Sequence, residues 1–567
     1  MESGSVPAFA FSPFYRLTLF TDRVYDDFWT QTPVGMAEFS DQPLPPIPEV
    51  DQYYGFFPAR YVAEYLESYI ESHVYAGTTL SSRIRTKSRV MKLNKDPNDE
   101  QWHVHICEHT GKQHEVTAPR IIDATGLTSS PNIPSIPGLD EFAGKKVHQM
   151  DVAQSDILAN DKEHHVVVIG GAKSAADLAY ASAKAGKHVF WVIRKNGSGP
   201  ASFASARGSG PYKNSNESVY TRLTALFLAS IFTDTSRSGR SFAGCVEWML
   251  YRTSIGIAIF GWIWERITAR AWKEAGYTTR QLSIANETSS DKNDPRGTGF
   301  HHLQPDTSIF WQNDSSGINQ RPDFFSTIAE KVAVYRADID RVKHNVVYLA
   351  DQHSTRLPAD VILLATGWNT QNSFAHIDEA TASTLGLPIP KSSLTQDYTT
   401  IWAPLDSHAS TRILARFPIL THPPPHHTTR TPLSPFRLYK SMLPIADPSI
   451  IFLGKVTLGN HFRAAEVQAL WALAVFDGTL KLPANELMRV DVAQTVEWCR
   501  RRYLGKGQAG NWFWFDMVGY TDELVGEIGL GGHRGGKGWC GMGEWVKPCL
   551  AGDLRGLVGE YRERYAE

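Results

Sequence analysis

At 567 residues the chain is longer than one compact core accommodates, and about 100–200 residues per domain implies two or three lobes. With 42% hydrophobic, 11% aromatic and 20% charged residues it reads as an ordinary globular chain, which excludes a disordered or fibrous protein. A formal net charge of -2 gives no long-range attraction to nucleic acid or to an anionic membrane, so no nucleic-acid partner is expected.

The start, MESGSVPAFAFSPFYRLTLF, has no basic stretch ahead of its apolar residues, so no secretory signal is expected. Cys107, Cys245, Cys499, Cys540 and Cys549 are odd in number and widely scattered, which fits a reducing, cytoplasmic compartment better than a disulfide scaffold or a zinc site. RIIDATGL (120–127) is an apolar strand closing on a glycine turn at Gly126. Next, VVVIGGAKSAADLAYASAKAGKHVFWVIRK reads as a strand (Val166–Ile169), a glycine turn, a helix (Ser174–Ala185), a stop at Gly186 and a second strand (His188–Ile193). In that βαβ unit Gly170, Gly171, Lys173 and Ser174 stand where backbone N–H groups at a helix start hold a pyrophosphate, although Ala172 replaces the second glycine of the usual pattern. Glycines that serve only close packing are the alternative. Arg194 and Lys195 follow the second strand, where an NAD site would carry an acid; basic side chains there match a 2′-phosphate and predict NADPH, a solvated strand end being the plainer reading.

From about 212 to 300 the chain is rich in Trp, Arg and long apolar runs, and reads as a helical insertion. Its run TSIGIAIFGWIW falls short of the ~18 residues a membrane-spanning helix requires, which leaves a buried or an interfacial helix and keeps peripheral membrane contact open. VILLATGW (361–368) repeats the strand-and-turn phrase, with Gly367 at the turn. HPPPHHTTRTPLSPF (422–436) is too proline-dense for a helix or a central strand, and its His422, His426 and His427 lack nearby carboxylates, so no metal is expected. FLGKVTLGNHFRAAEVQALWALAVFDG (452–478) reads as a strand, a turn at Gly454 and a helix. GLGGHRGGKGWCGMG (529–543) has no strand-to-helix context for a phosphate loop.

Several of these parts carry a family resemblance. Phe142, Gly144 and His148 resemble the F-x-G-x-x-x-H fingerprint of flavin-containing and Baeyer–Villiger monooxygenases, with Val152 where the fuller fingerprint has an aromatic residue. Thr30-Gln31-Thr32-Pro33, Met36 and FSDQP (39–43) are similar to the family segment that carries an active-site asparagine, for which this chain has Gln31. The 452–478 stretch resembles the last strand and helix of the family's FAD domain.

The resemblance, over roughly 25–480, implies an α/β fold with two Rossmann-like dinucleotide-binding domains. A discontinuous FAD-type domain (1–155 and 370–485) would embrace an NADP domain (160–368) with its helical insertion, followed by a carboxy-terminal extension (486–567). It implies FAD and NADPH as cofactors: NADPH reduces the flavin, the reduced flavin activates O2, and one oxygen atom enters a small organic substrate. The tryptophan-rich insertion points to an apolar substrate, with secondary-metabolite biosynthesis as its setting. Gln31 and His148 are the implied catalytic residues; Gly126, Gly170, Gly171, Lys173, Ser174, Arg194, Lys195, Gly367 and Gly454 are the implied cofactor contacts. Family members begin with a G-x-G-x-x-G loop for the FAD pyrophosphate, and no such motif precedes Tyr25, which implies a shortened start or weakened FAD binding. An NADPH-dependent reductase without oxygen activation and an inactive truncated paralogue stay open beside the monooxygenase. Oligomeric state is not legible.

Overall fold

The computed structural model describes residues 28–195, 197, 199–232, 242–280, 295–311, 316–319, 321–425, 431–534 and 542–565, with the backbone of the short strand Phe9–Ala10. Its most regular part is a five-stranded parallel sheet in the order Val332–Arg336, His188–Ile193, His165–Ile169, Val361–Leu364, Lys145–His148. Unbroken β-branched and aromatic runs suit these strands because both faces are covered. Val166, Val168, Val189, Trp191, Val361 and Leu363 point to one side, onto the Lys173–Lys184 and Phe324–Lys331 helices. Val167, Ile169, Phe190, Val192, Ile362 and Leu364 point to the other side. There they meet an antiparallel ribbon of Ile339–Lys343, Val346–Leu349 and Arg356–Pro358. The alternation is the two-residue period of a strand.

A second lobe is thinner in sheet. Strands Ile121–Asp123 and Ile450–Phe452 form a parallel pair. Against it packs an antiparallel layer of Ser88–Lys95, Trp102–Glu108 and Gln113–Ala118, through Leu93, Trp102, Phe374, Phe436, Ile450 and Phe452. The two Ala-Thr-Gly phrases therefore end one strand in each lobe. The chain crosses between lobes twice, and the crossings pair with each other: Asn132 N–H donates to Gly367 O at 3.0 Å and Asn369 N–H to Ser130 O at 2.9 Å.

Two expected boundaries move. Residues 145–148 do not belong to the first lobe, since Lys145–His148 is the edge strand of the five-stranded sheet, paired with Val361–Leu364, and Leu139 and Phe142 pack beneath that sheet. The boundary thus lies near Pro131, opposite Trp368. Nor is 486–567 an appendage. Helices Asn485–Arg502 and Met517–Glu527 share one core with the His461–Phe476 helix and with Leu250, Phe260 and Trp264 of the insertion. The insertion leaves and re-enters through the parallel strands Ser202–Ser205 and Ser316–Asn319, and holds the helices Phe242–Arg252 and Ser254–Ala275. No helix among the described residues is long and apolar enough to cross a membrane.

Candidate functional site

Three of the expected cofactor glycines, Gly126, Gly367 and Gly454, adopt left-handed φ values of 67°, 80° and 67°, and a Cβ at any of them would meet nothing within 4 Å. Each follows the carboxyl end of a strand, where ligands lie in open α/β sheets. Backbone that is both left-handed and open on its Cα side lets a flat ligand approach closely, and a side chain there would fill that space.

A buried ion cluster joins two of these turns. Lys455, 1% exposed at its side chain, donates to Asp123 Oδ1 at 3.0 Å, Thr125 Oγ1 at 2.8 Å and Gly126 O at 3.2 Å. The residue after one glycine turn thereby holds the carbonyl of the other. Asp123 also accepts from Thr125 N–H at 3.0 Å and faces His376 Nε2 at 3.1 Å. Burial alone would raise the Asp123 carboxyl, but the His376 hydrogen bond and the Lys455 ammonium outweigh it and hold it well below the usual carboxylate range. Burial pulls Lys455 down, partly opposed by Asp123. The signal for this cluster is charge inside apolar phrases, an Asp in RIIDATGL and a Lys in FLGKV, since such residues are buried only when paired. Nothing in the sequence marks His376 as their partner.

His148 is buried beneath the Gly367 turn. Its Nε2–H donates to Gly367 O at 2.9 Å and its Nδ1 accepts from Met150 N–H at 3.2 Å, so the ring is the neutral Nε2–H tautomer with both nitrogens engaged. It also meets the Trp368 ring edge-on at 5.4 Å. Burial lowers its pKa, with the Gly367 bond opposing. The histidine thus holds the crossing between lobes and presents no free nitrogen to a ligand.

Gln31 is likewise engaged. Its Oε1 accepts from Ile318 N–H at 2.7 Å and its Nε2 donates to Ile318 O at 3.4 Å, while Asn216 Nδ2 donates to its carbonyl at 2.9 Å. A Cβ at Gly317 would stand 2.8 Å from Lys173 Cδ and 3.3 Å from Gln31 Oε1, so the strand that Gln31 binds passes close to the glycine-loop lysine. Downstream, Ser40 binds the Glu466 carboxylate, which seats the FSDQP segment on the His461–Phe476 helix.

In the βαβ unit both glycines are required by packing. A Cβ on Gly170, at φ 144°, would lie 2.2 Å from Ala365 O, and one on Gly171 would lie 2.5 Å from Gly199 O. The helix they open, Lys173–Lys184, has no side-chain cap at Ala172, so no capping side chain takes up its first N–H groups beside Ser174. Lys173 forms an ion pair with Asp177 one turn on. Arg194 and Lys195 are exposed past the second strand, and Lys195 borders an open recess with Ala350, Asp351, Gln352 and His353. Of the proline-rich loop, His422 meets Thr421, while His426 and His427 lie outside the described residues, as does 535–541 of the second glycine-rich run.

Residues 20–231 and 417–532 match the protein family described as flavin-binding monooxygenase-like. An FAD-dependent monooxygenase of Pyrenophora dematioidea is 29% identical over 538 residues, spanning 90% of this chain and 91% of that protein. Another, from Aspergillus nomiae, is 28% identical over 546 residues, spanning 90% and 86%. In fold the chain is similar to cyclohexanone monooxygenase in its ε-caprolactone-bound structure, with a TM-score of 0.52, 13% identity and 90% of each chain covered.

Proposed function

Because the chain belongs to the flavin-binding monooxygenase-like family and is a flavoprotein monooxygenase, we propose that it consumes NADPH to place one atom of O2 in a small organic substrate. The observation that carries this reading is the set of open, left-handed turns at Gly126, Gly367 and Gly454, two of them tied together by Lys455. These residues fit the border of a flavin. A glycine loop for the FAD pyrophosphate is not found among the described residues. When bound, FAD supplies hydride acceptance from the nicotinamide and activation of oxygen.

The chain's own part is to bind and to orient. Gly170 and Gly171 bring backbone close to the uncapped start of the Lys173–Lys184 helix, where its N–H groups, Ser174 and Lys173 would hold the NADPH pyrophosphate. Arg194 and Lys195 would take the 2′-phosphate, because a guanidinium and an ammonium neutralise it where an acid would repel it. His148 fixes the Gly367 carbonyl, and Gln31 holds the first lobe against Ile318 beside the glycine loop, so both act as positioning residues. Of the four tryptophans in 212–300, Trp264 lies in the core, Trp272 packs partly buried against the core of the five-stranded sheet and Trp248 and Trp262 face outward, so none of them supports the apolar-substrate expectation. The odd, scattered cysteines of the sequence are the ground for a reducing, cytoplasmic setting.

The test is an absorbance spectrum of the purified chain, followed by parallel records of NADPH loss and O2 uptake. Retained flavin gives bands near ~370 and ~450 nm, and a monooxygenase then consumes O2 in step with NADPH. NADPH loss without O2 uptake would make the protein a reductase. Failure to take up added FAD would remove the flavin reading for this chain.

A further inference from the structure

The insertion presents an apolar surface that the other described residues leave uncovered. On the Phe242–Arg252 helix Trp248 is 59% exposed and Met249 49%; on the Ser254–Ala275 helix Ile255 is 76% exposed, Ile259 45% and Trp262 55%. The two helices meet tightly at Thr253, where Gly256 packs against the backbone of Met249 and Leu250, so these side chains gather at one end of the hairpin. The opposite face of the longer helix is the buried one, carrying Gly256, Phe260, Trp264, Thr268 and Ala275. Five large apolar side chains on adjoining helix faces are more than the scattered exposure of ordinary surfaces, and mark an interaction site.

Charge identifies the partner. At about 100° per residue, Ile255, Ile259 and Trp262 fall on one line that continues as Arg266, Arg270 and Lys273, while Glu265 and Glu274 stand about a quarter-turn to either side. Arg252, beside Met249, is exposed too. Arg266 stacks over the Trp262 ring at 4.8 Å, where apolar and basic halves meet. The remaining acid of the shorter helix, Glu247, is turned inward and paired with Arg416 at 2.6 and 2.9 Å. The outward stripe is thus apolar at one end and cationic at the other. The same stripe on a second copy carries no carboxylate on its line to meet these cations, whereas a bilayer surface offers an acyl boundary to the Trp and Ile end and phosphate headgroups to the Arg and Lys end.

We propose that the Phe242–Arg252 and Ser254–Ala275 hairpin docks the protein on an anionic phospholipid surface without crossing it, independently of what the catalytic site does. The test is flotation of the purified full chain with vesicles of phosphatidylcholine, with and without phosphatidylserine. Binding to the phosphatidylserine vesicles is expected, with a loss of about tenfold or more in the Ile255→Glu/Trp262→Glu variant, because two anchoring side chains are replaced by charge. Arg266→Glu/Arg270→Glu is expected to abolish the preference for phosphatidylserine. These positions are exposed, so all variants should keep the parent's melting temperature. Failure to float with either vesicle, or equal binding to both, would overturn the proposal. So would a parent dimer in light scattering that Ile255→Glu/Trp262→Glu splits into monomers, which would assign the face to a second copy.

Discussion

At the scale of single residues, the Lys455–Asp123 pair has the clearest energetic consequence. Removing one partner of a buried pair leaves the other charge uncompensated, which costs roughly 3–5 kcal/mol. Lys455→Met should lower the thermal midpoint of the lobe by about ten degrees and, with the proposed flavin contacts at Gly126 and Gly454, should weaken flavin retention. A midpoint within a degree or two of the parent's would refute that account. The double variant Asp123→Leu/Lys455→Met removes both charges and should recover much of the stability, which calorimetry would read directly. His148 gives a pH dependence whose sign follows from burial. Its folded pKa lies below its ordinary value, so the neutral ring stabilises the crossing fully above that value, and this stability is lost as pH falls towards the depressed one. His148→Phe should flatten that section of the melting-temperature profile; an unchanged slope would assign the pH dependence to other groups. Arg194→Ala should raise the Michaelis constant for NADPH far more than that for NADH, and equal effects would end its assignment to the 2′-phosphate.

At the scale of elements, the βαβ unit was nearly all legible. The strand His188–Ile193 was expected with the bounds it has, and the helix was displaced by one residue, because valine runs, a glycine turn and a stop at Gly186 are local signals. The short strand Lys145–His148 was assigned to the wrong lobe for a physical reason: four residues do not state which sheet they join, and only pairing with Val361–Leu364 decides it. The same limit hid His376, which reaches Asp123 from 253 residues away in the chain. The two kinds of glycine were also inseparable by sequence. Gly126, Gly367 and Gly454 face open space, whereas Gly170 touches a neighbouring strand. Gly170→Ala should therefore damage the five-stranded sheet itself, because its Cβ would lie 2.2 Å from a backbone oxygen. Hydrogen exchange in strands His165–Ile169 and Val361–Leu364 should accelerate; protection equal to the parent's would mean that the backbone relaxes around the methyl group.

At the scale of the whole molecule, the carboxy-terminal residues are structural to the first lobe and to the insertion together. Ala551 N–H donates to Gly35 O at 2.7 Å, Cys549 N–H to Tyr220 O at 2.8 Å, and Arg222 pairs with Asp522 at 2.7 and 2.9 Å. A chain ended before Pro548 loses the first two of these, along with Leu554, Leu557 and Tyr561 from the largest core, and should be recovered mainly in the insoluble fraction. Soluble, flavin-loaded protein from that truncation would contradict the shared core. The stitch between Gly35 and Ala551 also has a temporal side. At about 5–20 residues per second of synthesis, a ribosome needs roughly half a minute to two minutes to travel from one to the other. For that interval the nascent first lobe lacks its partner at Gly35, which closes only once residue 551 has been made.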